Sequence, residues 1–529
     1  MAPGSDAVHR YHDGTKHHFN RFARSLGYLD WASQPRPFRR FADAPAFALS
    51  PRPDADGRGR DVGNLLRHSL GLSAWKRFRD ARWSLRVNPS SGNLHPTEAY
   101  VISSVAEMPG VFHYAPEQHE LELRCEFDAH AWRAVSNGAE ALLVVLTSIH
   151  WREAWKYGER AFRYCQHDLG HAIGAVCYAA GLDGAIATLL PSWSQARIGR
   201  LVGLDRDEDF VEAEREEPGC LLALTRGPVP AAILNADDRL SQTIAAGRWH
   251  GRASQLSEDH VQWAFIDDIA DATRDPGRMV ADLEEDAQGI SVRTRRRRDP
   301  AGFGKMLEES SKDLLLRRRS AVAFDGQSST TRETFLSLLA AAMPSAGGPF
   351  DALWWTPRIH LALFVHRVTG VEPGLYMLMR DEADFEHVRG AAERDFLWER
   401  ADAAVPLYLL VRGDCRRLAG RVSCDQEIAA DGFFSLGMIA RFDASLDEFG
   451  PGFYRNLFWE SGAVGQALYL AAEAAGARAT GIGCFYDDPV HEVLGLRGHA
   501  FQSLYHFTIG MPVEDSRLTS EPGYTWERG

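Results

Sequence analysis

No Cys-x-x-Cys pair, no Gly-x-Gly-x-x-Gly after a strand-like stretch, no uninterrupted apolar run of about 18 residues and no excess of basic residues occur in this 529-residue chain. Each absence narrows the function. The seven cysteines, Cys125, Cys165, Cys177, Cys220, Cys415, Cys424 and Cys484, are odd in number and scattered. That fits reduced thiols in a cytosol better than a disulfide framework or a zinc site, and no metal is expected. Without the glycine fingerprint a Rossmann NAD site is not expected. No segment is built to span a membrane, and the opening M-A-P-G-S-D-A-V-H-R lacks the apolar core of a signal peptide, so the expected location is the cytoplasm. Lys plus Arg is 59 against 72 Asp plus Glu, a net charge of -13, which argues against a nucleic-acid partner. The one basic run, Arg293 to Arg298, reads as a solvated connector face.

What is present describes a folded chain. Hydrophobic residues make up 45% and charged residues 25%, and the length suits two or three domains with cores of their own. Residues 1–60 are rich in Pro, Arg and aromatics and read as an extended arm. Residues 61–228 alternate helical and strand patterns, with buried strands expected at Leu142–Thr147 and Leu221–Thr225 and a small-residue helix over Gly158–Gly181. Residues 229–306 read as a polar connector with amphipathic stretches such as Val261–Ala270. A second globular pattern fills 307–515, with strands expected at Ile359–Val365, Leu407–Val411 and Leu504–Ile509. A tail, 516–529, follows.

The two patterned regions are related. Shifted by 292 residues, Arg163 falls on Arg455, Gly170 on Gly462, Ala187-Thr188 on Ala479-Thr480 and Gly203-Leu204 on Gly495-Leu496, without a gap. Two alanine-rich helices would match by chance at the alanines, but not at the shared Arg, Gly-Leu and Ala-Thr positions. Two copies of one domain, facing each other as an intramolecular pseudo-dimer, account for the pattern.

Four stretches carry the chemistry. Asn88–Tyr100 reads N-P-S-S-G-N-L-H-P-T-E-A-Y. By composition it suits a hairpin loop and a loop approaching a polar planar ring equally well. Arg318–Gly326 reads R-R-S-A-V-A-F-D-G, and a dianionic phosphate favours Arg forks and hydroxyl donors. An Arg-rich triplet is also an ordinary solvated helix start. Ala479–Phe485 reads A-T-G-I-G-C-F, where Gly481 and Gly483 permit close backbone approach or simply a tight turn. Lys156–Tyr164 reads K-Y-G-E-R-A-F-R-Y. Alone, Lys156 and Tyr157 are a surface cation and a packed aromatic; desolvated, a Lys or Tyr can trade protons. His167 and His171 stand at i, i+4, but no third ligand is evident and packing is expected. His17-His18 in the arm reads equally as solvated.

The first stretch resembles the P-S-x-x-N-x-Q-P signature of nitroreductase-family flavoproteins, with His95 in place of the Gln, and the fuller string resembles the SagB-type branch that includes azoline dehydrogenases. The resemblance implies an α+β fold of two tandem nitroreductase-like domains and a noncovalent FMN. It implies that Pro89, Ser90, Ser91 and Asn93 contact a flavin bound mainly by the other half. There, Arg318 and Ser320 would hold the phosphate, Gly481, Ile482 and Gly483 the N5 edge, and Arg517 a second phosphate contact. Val322 stands where the family has a basic residue, with Arg317 and Arg319 beside it. Lys156 and Tyr157 match a Lys-Tyr pair implicated in catalysis. The second half has no P-S-x-x-N equivalent, since Met343–Pro349 reads M-P-S-A-G-G-P. The first half reads Ala187-Thr188-Leu189-Leu190-Pro191 where the glycines would be. One FMN per chain is therefore expected. The implied reaction is hydride exchange at flavin N5. The substrate would be an azoline or peptide with oxygen as acceptor, or a nitro- or quinone-like small molecule with NAD(P)H as donor. A flavin-binding or partner-binding scaffold without turnover is the alternative.

Overall fold

The computed structural model describes residues 4–49, 62–105, 108–138, 141–278, 311–344 and 348–528. The basic run Arg293–Arg298, part of Met343–Pro349 and the expected boundaries at 60/61 and 306/307 lie outside them. The chain forms two compact units. One comprises 25–298, 346–355 and 519–529; the other comprises 1–24, 299–345 and 356–518.

The first of these units is built on an antiparallel sheet. Its strands lie in the order Glu120–Glu126, Met108–Ala115, Thr97–Val105, Leu142–Ser148, Glu217–Thr225, Ile186–Leu189, with Arg248–Trp249 added at the first edge. Leu142–Ser148 is buried at every position, which is why it reads as an unbroken apolar run rather than an alternating one. Leu143 and Val145 join Tyr100, Ile102, Leu221 and Ala223 in one core. The helix Ala161–Leu182 lies against the sheet and is buried around nearly its whole circumference. A Cβ at Gly219 would stand 2.6 Å from the Leu146 carbonyl and 3.0 Å from Leu169 of this helix, so glycine there permits the close approach.

The other unit has strands in the order Leu407–Arg412, Gly374–Leu378, Ile359–Val365, Phe434–Arg441, Phe501–Gly510, Arg478–Ile482, again antiparallel, with Glu399–Arg400 at the edge. With the edge pair set aside and each set counted in chain order, both sheets run third, second, first, fourth, sixth, fifth. The central helix is Phe453–Ala474, and both its ends stand 292 residues beyond those of Ala161–Leu182. Buried Arg380 and Glu460 pair beside the strand Ile359–Val365; Glu460 also accepts from the Arg358 and Ile359 amides at 3.1 and 3.2 Å.

Three segments differ from the sequence expectation. Residues 5–14 are a helix, not an extended arm. Ser5, Val8, Tyr11 and His12 form its buried face, and His12 bonds Tyr454 at 3.2 Å and Gln502 at 3.0 Å. The periodicity of this short piece was hidden by the Pro- and Arg-rich residues that follow. The connector is partly core: Ile233, Leu240 and Ile244 from helices Ala231–Leu234 and Asp238–Ala245 sit in the first sheet's hydrophobic cluster. The tail is a strand, Thr519–Pro522, paired with Leu72–Phe78, and Tyr524 donates to the Pro116 carbonyl at 2.6 Å. Among the described residues no helix is long and apolar enough to cross a membrane.

Candidate active site

The loop Asn88–Asn93 is held in shape by its own unit. Ser90 Oγ accepts the His95 amide at 2.8 Å, and Asn93 Nδ2 donates to the Ser84 carbonyl at 2.9 Å. Gly92, Asn93 and His95 all adopt the left-handed region, with φ of 59°, 59° and 54°. His95 is buried, and burial followed by the nearby Arg86 charge pushes its pKa well below the usual histidine range.

The K-Y dipeptide meets this loop. A Cβ on Gly92 would stand 2.5 Å from the Tyr157 hydroxyl and 3.3 Å from Lys156 Nζ. The two motifs, 63 residues apart from Asn93 to Lys156, thus share one site. Arg152 holds them together: one turn before Lys156 in the helix His150–Tyr157, it donates to the His95 carbonyl at 2.8 Å and pairs with buried Glu98. Lys156 Nζ lies 5.2 Å from the Tyr157 ring centroid, and Tyr157 packs edge-on to Tyr164 at 4.6 Å. Lys156 is exposed, so the desolvated lysine considered from the sequence is not what forms.

Behind the loop lies a feature the sequence reading missed. Asp168, buried in the helix Ala161–Leu182, accepts the Ser91 amide at 3.1 Å and the Ser91 hydroxyl at 3.0 Å. Burial raises its pKa to about 7, and hydrogen bonds from Ser90 and Ser91 only partly offset this. Glu153, fully buried in the preceding helix, is pushed well above the carboxylate range by burial and by Asp168, with Lys156 opposing. Neither Glu153 oxygen has a hydrogen-bond partner among the described residues. Burial, then Glu153 and Asp168, drive the Cys165 thiol up as well. Two interacting carboxyls, one titrating near neutrality, can hold and release a proton at Ser91 and the loop. A sequence signal was present for Asp168 alone, an acid within the small-residue helix Ala161–Leu182; Glu153 stands among Arg152 and Lys156 and carries none.

The other unit gathers a second set. Arg318 is 3% exposed and stacks on Tyr469 at 5.0 Å. Burial lowers its pKa, with Tyr469 and Glu473 opposing. Ser320 pairs with Ala479 as a parallel bridge, and Ala321 N–H donates to the Ala479 carbonyl at 2.9 Å. The Tyr469 hydroxyl joins Ser320 Oγ at 2.9 Å to the Gly481 amide at 3.0 Å. Two expectations are corrected here. Gly481 and Ile482 lie in the strand Arg478–Ile482, not in a tight turn, and Gly481 is small because a Cβ would stand 1.9 Å from the Tyr505 hydroxyl. Its N–H is engaged by Tyr469 rather than facing a ligand. Gly483 follows the strand. Arg517 is exposed and forks onto Asp515 at 2.8 and 2.7 Å, and Val322 is 73% exposed.

These residues fit a flavin in part. A buried guanidinium beside a hydroxyl suits a phosphate. The buried Asn88 Oδ1 has no donor among the described residues, an acceptor that a ligand N–H would satisfy. Gly481 does not fit the part of N5 donor.

Residues 373–511 match the nitroreductase family. Over 96% of its length the chain superposes on 99% of a candidate nitroreductase from Anabaena variabilis, at 21% identity and a TM-score of 0.68. That likeness establishes a nitroreductase-like fold of mixed helix and sheet. A candidate nitroreductase from Ralstonia eutropha overlaps 38% of this chain and 82% of its own at 19% identity and a TM-score of 0.27. The microcin synthetase McbBCD of E. coli, bound to truncated pro-MccB17, overlaps 42% and 82% at 16% identity and 0.26. Those two overlaps are too loose to add to the fold assignment. No curated protein matches the chain.

Proposed function

We propose that this nitroreductase-like protein is an FMN-dependent oxidoreductase of the SagB type, made of two tandem copies of one domain. The identical six-strand order and the 292-residue offset of the central helices support the duplication. The observation that carries the enzymatic reading is the meeting of Gly92 with Tyr157 and Lys156, since two motifs with no local reason to meet converge over buried acids.

FMN, when bound, supplies hydride acceptance or donation at N5. The chain's residues do the rest. Arg318 and Ser320 bind the phosphate, and Pro89, Ser90, Ser91 and Asn93 are, as the resemblance implies, flavin contacts. Tyr157 and Lys156 move the substrate proton. Asp168 and Glu153 keep a proton reserve behind Ser91. The substrate is a small molecule or peptide. The Lys-Tyr pair favours dehydrogenation, for which a positioned base is needed, over simple NAD(P)H-driven reduction.

Purified protein tests this directly. The expected result is a flavin spectrum, FMN rather than FAD on denaturation, one FMN per polypeptide, and loss of flavin in Arg318→Ala. Anaerobic bleaching by NAD(P)H would identify a reductase; resistance to it with retained flavin would identify a dehydrogenase. Colourless protein that does not take up FMN sinks the proposal and leaves a scaffold, and two FMN per chain sink the single-site assignment.

A further inference from the structure

Three metal-ligating side chains from distant segments converge in the unit that holds residues 1–24 and 356–518, and none belongs to the residues assigned above. They are His17, Cys424 and Cys484, whose ligand atoms all lie within 4.8 Å of one another. Cys484 Sγ is 3.7 Å from His17 Nδ1 and 2.7 Å from Cys424 Sγ. In sequence the two thiols stand 60 residues apart without a Cys-x-x-Cys spacing, and His17 reads equally as solvated. In the fold His17 is buried, at 8% exposure.

The surroundings hold each ligand in place. Asp487 Oδ2 accepts the His17 amide at 2.8 Å, and the Asp487 amide donates to the His17 carbonyl at 3.0 Å, so the backbone at His17 is clamped on both sides. Gln426 Nε2 donates to the Cys484 carbonyl at 2.9 Å and to the Ser423 carbonyl at 2.8 Å, tying the two cysteine segments together. Cys424 and Asp425 are consecutive non-glycine residues at φ of 57° and 56°. Such conformations are strained for residues that carry a Cβ and persist only where surrounding contacts impose them. Here the strained pair turns Cys424 toward Cys484.

We propose that His17, Cys424 and Cys484 form a three-ligand site for a borderline-soft divalent cation, Zn2+ by chemical class, with the fourth position left to water. Two thiolates and an imidazole are the donor set that such a cation selects over Mg2+ or Ca2+. Zn–S near 2.3 Å and Zn–N near 2.0 Å put tetrahedral ligand atoms about 3.5–3.8 Å apart. The His17–Cys484 edge already matches, and the sulfur pair opens by about 1 Å when the cation enters. Binding releases the two thiol protons.

The test uses the full-length protein, stripped with chelator under reducing conditions and then given Zn2+ or, as a spectroscopic probe, Co2+. The expected result is one metal per chain and a rise in melting temperature with Zn2+. Co2+ should give a thiolate-to-cobalt charge-transfer band with intense tetrahedral visible bands, read as a difference spectrum against the metal-free protein. Cys424→Ser and Cys484→Ser should each weaken affinity at least tenfold and abolish the charge-transfer band or halve it, while His17→Gln weakens affinity with the thiolate band retained. Melting curves of the metal-free variants show whether they fold; Gln426→Ala, which touches no ligand atom, serves as a second variant and should lower affinity without removing the band. Stoichiometry below one-tenth, or binding unchanged in the double cysteine variant, overturns the proposal. So does a thiol count of five rather than seven in metal-free, unreduced protein together with no metal uptake after reduction, which would make the pair a disulfide.

Discussion

Ser91 is joined to Asp168 twice: its amide and its hydroxyl both donate to one buried carboxylate, at 3.1 and 3.0 Å. The loop that carries the strongest sequence motif is thereby fastened to the central helix of its unit through a group whose charge changes near neutrality.

Asp168→Asn tests that fastening. The Asp168 pKa is raised from 3.8 to about 7, so its protonated form is favoured by folding. The associated stability is fully present below about pH 4 and is lost as pH rises through 7. Wild type should therefore lose melting temperature relative to Asp168→Asn between pH 5 and pH 8. Parallel curves across that range would show that Asp168 does not titrate there.

Gly92→Ala probes the meeting of the two motifs. The left-handed φ costs an alanine about 1 kcal/mol. The larger effect is on position, because the new Cβ must displace the Tyr157 hydroxyl. Turnover of any accepted substrate should fall by about 10²-fold with only a small drop in melting temperature. Retained turnover would remove Tyr157 from the proton path.

Tyr469→Phe removes the hydroxyl that joins Ser320 to the Gly481 amide. Ser320 is exposed and the Gly481 amide half-buried, so water takes over part of the lost bonding and the cost in denaturant unfolding should be roughly 0.5–1.5 kcal/mol. Flavin retention should fall in parallel if Ser320 holds phosphate, and equilibrium dialysis with FMN measures it.

The buried network Glu98–His113–Glu122 links the stability of its unit to pH. His113 bonds Glu122 at 2.9 Å and Glu98 at 3.0 Å. Burial works against its charge, but those two carboxylates outweigh it and raise the pKa from 6.5 to about 9. Its contribution is fully present below pH 6.5 and is lost as pH rises through 9. For Glu98, burial opposes ionisation, but Arg152 and His113 lower its pKa from 4.5 to about 2, so its contribution is present above pH 4.5 and is lost as pH falls through 2. The melting-temperature gap between wild type and His113→Gln should be widest near pH 5–6.5 and close above pH 9. A constant gap would mean that His113 stays neutral in the fold.

Much of this was legible beforehand. Ile359–Val365 forms over its expected residues, and the strand at Leu142 differs from expectation by one residue, because buried strands advertise themselves as short apolar runs bounded by turns. The 292-residue offset reappears in the helix ends because small residues fix where helices pack. The Lys156-Tyr157 and Asn88–Asn93 motifs were visible singly; their meeting depends on Arg152 reaching the His95 carbonyl, a contact with no sequence period. Asp168 and Glu153 escaped notice because one acid in a helix looks like any surface acid until burial is known. The part played by Gly481 is not legible, because a glycine required by a neighbouring tyrosine is indistinguishable, in sequence, from one required by a ligand.

The strand Thr519–Pro522 has a consequence for how the protein is made. It completes a sheet begun at Leu72, while the helix Ser5–Gly14 packs on residues as late as Gln502. During synthesis both units therefore remain open until more than five hundred residues have emerged. The early helix must wait, with its Val8 and Tyr11 face uncovered, for partners that do not yet exist. Expression of the early residues alone would leave such an orphaned surface, and a gene split within the connector is expected to yield insoluble pieces.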